Sequence, residues 1–502
     1  MAQCSAVIDI GSNSMRMAVF HKTSRFAFHI VHEVKSSVRL SENAYLHGGL
    51  LQAPSMDRAA CAIGEFLGVA RSFGARKILC VATSALRDAP NKADFIRRIQ
   101  REHGLAIKVI DGDKEAYFGG IACANLLPKM NAITVDVGGG SSEFALLVYG
   151  KVTQTLSLNI GTVRLKELFL DRGDTQGAMD YIDNALQKLT FDATATLIGI
   201  GGTFRALSHG ILKEEGYFFK KLHGFEMSEG TFKTFCHAIM EASPKKLKSL
   251  GIKPDRFDTI KAGTLIFLRI VHRLESKKLV CSGVGVREGV FLSDLLRHST
   301  HQFPHNYNPS LRYLLDTYAT HSPHGIECAT LAKRLFDLTH EYLHLPLSLR
   351  HELVMAAKLL PIGLGVSYYA YQKHSYYLAL NGLKYALSHS QIALISHLLL
   401  FKKGVNSSEL VPKKSYGALL PETKTLNALH YLLWLSHIVL AGRIRAGEIN
   451  LSFKDGELHI SGDDSPLYLA KEQLGNLITP KGLKVKLESL PDGKFKVGDI
   501  VP

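Results

Sequence analysis

At 502 residues the chain is too long for a single hydrophobic core and calls for about three or four domains. Its 46% hydrophobic and 21% charged residues exclude a disordered or fibrous chain. The formal net charge of +15 points to polyanionic partners, whether nucleic acid, an anionic membrane surface or a phosphate-rich substrate.

In chain order, residues 6–10, 17–21 and 26–34 read as strands. Residues 55–74 have helical apolar spacing (Met56, Ala59, Ala60, Ile63, Phe66, Leu67, Ala70), and 77–82 is a buried strand. A helix over 91–103, a strand over 106–110 and a helix over 114–127, closed by Pro128, complete an α/β unit. At Ala132 the pattern restarts with a strand, a glycine turn and a second strand over 142–148, and a later apolar run over 279–285 precedes a helix over 288–296. Residues 299–310 have no periodicity and read as a linker. Helices follow at 311–319, 325–342, 347–360, 374–381, 388–401 and 424–441, then strands at 448–453 and 457–461, a helix over 467–477 and a strand over 483–489. The expected domains are 1–125 and 126–298 (α/β), 311–445 (helical) and 446–502 (a small α+β cap).

The seven cysteines are scattered, with no C-x-x-C pair, which argues for free thiols in a reducing cytosol rather than disulfides or a zinc site. No stretch reaches the roughly 18 apolar residues of a membrane span, and the N-terminus shows no signal-type segment. A cytoplasmic location without membrane attachment is expected.

Val7-Ile8-Asp9-Ile10-Gly11-Ser12-Asn13-Ser14-Met15-Arg16 returns in altered form as Thr134-Val135-Asp136-Val137-Gly138-Gly139-Gly140-Ser141-Ser142-Glu143. A third turn, Gly199-Ile200-Gly201-Gly202-Thr203, follows another apolar run. Such turns leave N–H groups and hydroxyls free to face an anion, and an Asp at the strand end can hold a divalent metal against it. If a hairpin folds after Asp136, Glu143 returns to the same side and the pair makes a plausible Mg²⁺ site; the other reading of Glu143 is a solvent-facing strand residue. Arg16, Arg87 and Arg287 each stand beside a strand-end turn, where a guanidinium suits phosphate oxygens. Glu115 opens a helix after Asp111-Gly112-Asp113 and is either a base for a water nucleophile or a partner of the helix dipole.

The segments 8–16, 82–89, 112–119, 135–143, 199–207, 222–225 and 285–289 together resemble the exopolyphosphatase / guanosine pentaphosphate phosphatase family, within the acetate and sugar kinase, heat-shock ATPase and actin superfamily. The resemblance implies two duplicated actin-like (ribonuclease H-like) α/β domains. It implies Glu115 as catalytic base, and Asp136 and Glu143, helped by Asp9, as ligands of Mg²⁺ or Mn²⁺. Ser12, Asn13, Ser14, Gly138, Gly139, Gly140, Ser141, Gly202 and Thr203 would line a phosphate channel, with Arg16, Arg87 and Arg287 neutralising successive phosphates. The implied reaction releases terminal orthophosphate from inorganic polyphosphate, or the 5′ γ-phosphate from guanosine pentaphosphate. A homodimer is expected, and specific nucleic-acid binding is not. A kinase of the same superfamily and a non-catalytic polyphosphate or alarmone sensor are the competing readings.

Residues 311–401 resemble the HD-type helical domain of longer family members, but Leu359-Leu360-Pro361-Ile362-Gly363 stands where the metal-binding His-Asp pair would be. His324, His374 and His389 then read as structural or basic lining, and the domain as a channel extension or dimer contact. Lys220-Lys221, Lys402-Lys403 and Lys413-Lys414 are candidate guides for a long polyanion, with solvated faces as the default reading.

Overall fold

The computed structural model describes residues 3–192, 194–319, 323–412, 415–442, 444–462 and 467–488. Strand Leu483–Ser489 is therefore described only to Glu488, and Lys413-Lys414 lies outside the described residues. The chain divides into two compact units, residues 1–309 with 385–387, and residues 310–384 with 388–502.

The first unit contains two sheets. The first is built from β1 (Gln3–Ile10), β2 (Met15–Lys22), β3 (Phe28–Ser36), β4 (Ala75–Ala82) and β5 (Lys108–Val109), in the order β3-β2-β1-β4-β5. β1, β2 and β3 pair antiparallel, while β4 and β5 add parallel to β1. β1 reads as an almost continuous apolar run because helices cover both of its faces: Ala6, Ile8 and Ile10 pack in one core and Val7 in another. The expected strand over 106–110 shortens to two residues at the sheet edge.

The second sheet holds β6 (Ala132–Val137), β7 (Ser142–Val148), β8 (Lys151–Leu158), β9 (Thr196–Ile200), β10 (Phe225–Ser228) and β11 (Lys278–Cys281). Its order is β10-β11-β9-β6-β7-β8, with β6, β7 and β8 antiparallel and β9 and β11 parallel to β6. The order β8-β7-β6-β9-β11 repeats that of the first sheet, and β10 is an added edge strand. The duplication seen in two short motifs thus extends through whole domains, and the architecture is that of two actin-like α/β domains.

The helix Gly112–Leu126 packs on β7 and β8 of the second sheet, although its sequence position ends the first domain. It also packs against the helix Val286–Leu295, and the two cross so closely that a Cβ on Gly289 would lie 1.9 Å from the Phe118 carbonyl oxygen. Both sheets are thereby tied to one helical layer.

The second unit is mainly helical, with helices Pro309–Tyr318, His324–Thr339, Arg350–Leu359, Tyr371–Gly382, His389–Leu398 and Thr423–Val439. A small sheet of β12 (Ile449–Lys454), β13 (Glu457–Gly462) and β14 (Lys484–Glu488) joins it. The helix Thr423–Val439 satisfies carbonyls at and just past the end of the helix His389–Leu398: Trp434 Nε1 donates to Leu398 O (3.1 Å), and His430 Nε2 lies 2.7 Å from Leu400 O. Among the described residues no helix is long and apolar enough to cross a membrane.

Candidate functional site

The two glycine turns are hairpin tips between equivalent strands. In the first, Asp9 pairs with Arg16 and Ile10 with Met15. In the second, Asp136 pairs with Glu143 and Val137 with Ser142. Residues directly opposite on antiparallel strands project from the same face, so the hairpin returns Glu143 to the side of Asp136. The tips touch: a Cβ on Gly139 would come within 2.7 Å of Ser12 Cβ. Both tips open on a single cleft.

The backbone of the first tip is held by its carbonyls. Ser41 N–H donates to Ser12 O and Arg39 N–H to Asn13 O, each at 3.1 Å. In a trans peptide the following N–H points the other way, which leaves the Asn13 and Ser14 amides on the opposite side of the turn, in residues that line the cleft. The second tip is tied to the start of the helix Thr162–Leu168, where Thr162 N–H donates to Gly138 O and Val163 N–H to Gly139 O. The third turn begins the helix Gly201–Glu214 directly, so Gly202 and Thr203 present a helix N-terminus, a favourable place for an anion. Gly201 has φ +84°, and a Cβ there would lie 2.3 Å from Asp136 Oδ1; only glycine permits both the turn and the carboxylate behind it.

The cleft is strongly charged. Arg16, Lys35, Arg205, Arg256 and Arg287 line it together with Asp9, Glu115, Asp136 and Glu288. Burial, then Arg205 and Arg287, pull Arg16 down to about 10, so it stays cationic at neutral pH but in repulsion with its neighbours. An anion placed among these groups relieves that repulsion. Arg287 is held by Glu33 at 3.0 Å and lies 3.8 Å from Glu288, whose other oxygen accepts from Gly285 N–H.

The carboxylates are pushed the other way. Burial raises Asp9 to about 6 against the pull of Arg287 and Arg16, and burial raises Asp136 as well. Burial raises Glu143 to about 8, with Ser141 and Ser157 hydroxyls opposing the shift and Asp136 adding to it. Glu115 is raised by burial and by Glu143, with Arg87 opposing. Desolvated, mutually repelling oxygens of this kind fit a hard divalent cation. Yet Asp9, Asp136 and Glu143 do not bring three ligand oxygens within 4.8 Å of one another; among the described residues only a group in the helical unit has that convergence. A cation here would rest on one or two carboxylates and take its remaining ligands from phosphate and water, as Mg²⁺ commonly does.

The structure brings together in the cleft Asp9, Ser12, Asn13, Ser14, Arg16, Glu115, Asp136, Gly138, Gly139, Gly202, Thr203 and Arg287. Four expected site residues are not part of its lining. Arg87 folds back, its Nη1 donating to Glu115 Oε2 (3.0 Å) and its Nη2 to Ser141 Oγ (3.2 Å), so its guanidinium is engaged by the acid and the hydroxyl. Ser141 is occupied by that contact, and Gly140 O accepts from Arg164 Nε (2.9 Å) as the chain turns down into β7. Glu143 is buried behind the tip, accepting from Ser157 Oγ at 3.0 Å, which also excludes a solvent-facing position. Lys220 and Lys221 do not line the cleft either.

Sequence reading missed Arg205, Arg256, Lys35, Thr83, Ser84 and Glu288 in this lining. Arg205 lies inside the 199–207 motif, four residues after Gly201 on the same helix, and that spacing could have marked it. Arg256 follows Pro254 in a short 3₁₀ turn and has no local signal.

Residues 18–298 match the Ppx/GppA phosphatase family, and residues 309–472 match its domain III. The chain belongs to the Ppx/GppA phosphatase family. A curated family relative, the bifunctional 3-dehydroquinate synthase/phosphatase of Fusobacterium nucleatum, is 28% identical over 286 residues, which are 53% of this chain and 43% of that protein. The chain thus spans less than half the length of the curated relative it matches. A crystal structure of the Ppx/GppA member from Aquifex aeolicus is 28% identical with a TM-score of 0.52, covering 60% of this chain and 99% of that one. The structure of an exopolyphosphatase from Cytophaga hutchinsonii, 23% identical with a TM-score of 0.54 over 59% of this chain and 99% of that one, shares the fold.

Proposed function

We propose that this chain is a Mg²⁺-dependent phosphoanhydride hydrolase, releasing terminal orthophosphate from inorganic polyphosphate or the 5′ γ-phosphate from guanosine pentaphosphate. The observation that carries this reading is the contact of Gly139 with Ser12, which puts both hairpin tips, five cationic side chains and Glu115 on one cleft. Membership in a phosphatase family supports the reaction class.

Arg16, Arg205, Arg256 and Arg287 hold successive phosphate groups, and the N-terminus of the helix Gly201–Glu214 receives a terminal one. Asp136 and Asp9 would hold Mg²⁺, or Mn²⁺ in its place; when bound, the cation polarises the terminal phosphoryl group. Arg87 orients Glu115, and burial makes that carboxylate a stronger base than a solvated one. Glu115 takes a proton from a water as its oxygen bonds to the terminal phosphorus in line with the breaking bridge bond. The products are orthophosphate and an anion one phosphate shorter.

The test is orthophosphate release from each substrate, with Mg²⁺ and with excess chelator. Release from one or both that the chelator abolishes is expected. Tight binding of both anions with no release under either condition sinks the hydrolase and leaves a sensor; transfer of the phosphate to an acceptor makes the chain a kinase.

A further inference from the structure

In the helical unit, three groups with metal-ligand chemistry converge. His324 and Cys328 stand four residues apart on the helix His324–Thr339, and His437 comes from the helix Thr423–Val439. Their ligand atoms all lie within 4.8 Å of one another. His324 Nε2 is 2.9 Å from His437 Nδ1 and 3.3 Å from Cys328 Sγ. Donor atoms around a tetrahedral zinc ion are spaced by roughly 3.3–3.6 Å, given Zn–N near 2.05 Å and Zn–S near 2.3 Å. The two separations from His324 fall short of this spacing by a few tenths of an ångström and all three groups stay within 4.8 Å, so small side-chain rotations would admit the ion.

We propose that His324, Cys328 and His437 form a mononuclear site for a borderline transition-type cation, Zn²⁺, with a water as fourth ligand. Two imidazoles and one thiolate suit Zn²⁺ and disfavour Mg²⁺, so this site and the carboxylate cleft select different ions. His437 is oriented for the task. Its Nε2 lies 3.1 Å from the Tyr371 hydroxyl, which leaves Nδ1 toward His324 when Nε2 carries the proton, and the Trp434 ring meets it edge-on at 5.3 Å. Such an outer partner is the usual companion of a ligating histidine. Pro361 covers the start of the same helix, its ring carbons 3.0 Å from a Cβ placed on Gly325, and Leu360 and Ile362 beside it are buried. The stretch that lacks the His-Asp pair thus packs beside the first turn of the helix that carries His324 and Cys328. On binding, Cys328 gives up its thiol proton to solvent and both histidines coordinate as neutral rings. The bound ion links two helices whose ligands are far apart in sequence.

The test is Co²⁺ titration of the metal-stripped full-length chain in excess Mg²⁺. A thiolate-to-cobalt charge-transfer band saturating at about one equivalent and displaced by Zn²⁺ is expected, because the carboxylate cleft contributes no sulfur. Cys328→Ser abolishes the band and weakens Zn²⁺ by at least ~100-fold, while Tyr371→Phe weakens it by about tenfold. Cys61→Ser, at an exposed cysteine, leaves both unchanged. X-ray absorption at the zinc edge of the wild-type protein requires no variant: one sulfur and two imidazoles support the site. No band in the wild type, a band that survives Cys328→Ser, or a zinc shell without sulfur overturns it. None of these outcomes depends on phosphate release.

Discussion

The two hairpins of the first unit have the same register and differ in sign at one position. Opposite Asp9 stands Arg16; opposite Asp136 stands Glu143. The first pair carries its own counter-charge and leaves a guanidinium on the cleft. The second is a pair of buried acids: burial pushes Glu143 up to about 8, Asp136 adds to the shift, and the Ser141 and Ser157 hydroxyls and Arg87 oppose it. One backbone design, used twice, therefore gives one hairpin an acid opposite a guanidinium and the other a pair of acids, and the proposed Mg²⁺-bound phosphate chain would need both signs of charge. Glu115 lies in the field of each, raised by both Glu143 and Asp9.

The largest effect should come from Glu115, which feels the charge of both hairpins. Glu115→Gln keeps the shape but removes the proposed base, so phosphate release should fall on the order of a hundredfold or more with substrate binding largely kept. Turnover at the wild-type rate would remove Glu115 from its role.

The helical unit supplies a contrast in pH response. Burial pulls His430 from 6.5 to about 4, so it is neutral when folded. The unfolded chain takes up the proton first as pH falls through 6.5, so stability is lost between about 6.5 and 4. His430 alone accounts for roughly 3 kcal/mol of that loss. Urea midpoints across this window should fall in wild type and fall less in His430→Gln, which keeps an N–H donor but does not titrate; His397, also pulled down by burial, accounts for part of the remaining slope.

Removing a cleft cation should act on binding. Arg205→Ala removes a charged hydrogen-bond donor of about 1.5–3 kcal/mol and should raise KM for polyphosphate by roughly 10- to 100-fold, with kcat less affected. An unchanged KM would show that Arg205 faces the cleft without meeting substrate.

Perturbing the acid pair of the second hairpin should be milder. Glu143 is held by Ser157 and acts on Asp136 at a distance, so Glu143→Gln should raise the Mg²⁺ midpoint for activity by about tenfold, the scale of an outer-shell partner. A loss of several hundredfold would make Glu143 a direct ligand. The smallest effect belongs to the exposed pair Lys77–Asp294, where Lys77→Ala should change stability by less than ~1 kcal/mol in a urea titration.

Strand, tip and acid recur within ten residues, so the sequence by itself determined both hairpins, their glycine tips, the placement of Asp9, Asp136 and Glu115, and the duplicated α/β architecture. These are short-range patterns, set by steric limits on the backbone and by alternating burial. Tertiary structure alone decided the partners of the charged side chains. Arg87, beside a strand-end turn like Arg16 and Arg287, is drawn onto Glu115 because the helix Gly112–Leu126 brings that acid to it. Glu143 is pulled behind the tip by Ser157, while Arg256 reaches the cleft from a turn that no local motif marks. Likewise, scattered cysteines without C-x-x-C spacing gave no hint that Cys328 would meet two histidines across two helices. A long side chain's partner depends on which distant segment packs beside it, and residue spacing along the chain does not encode that distance.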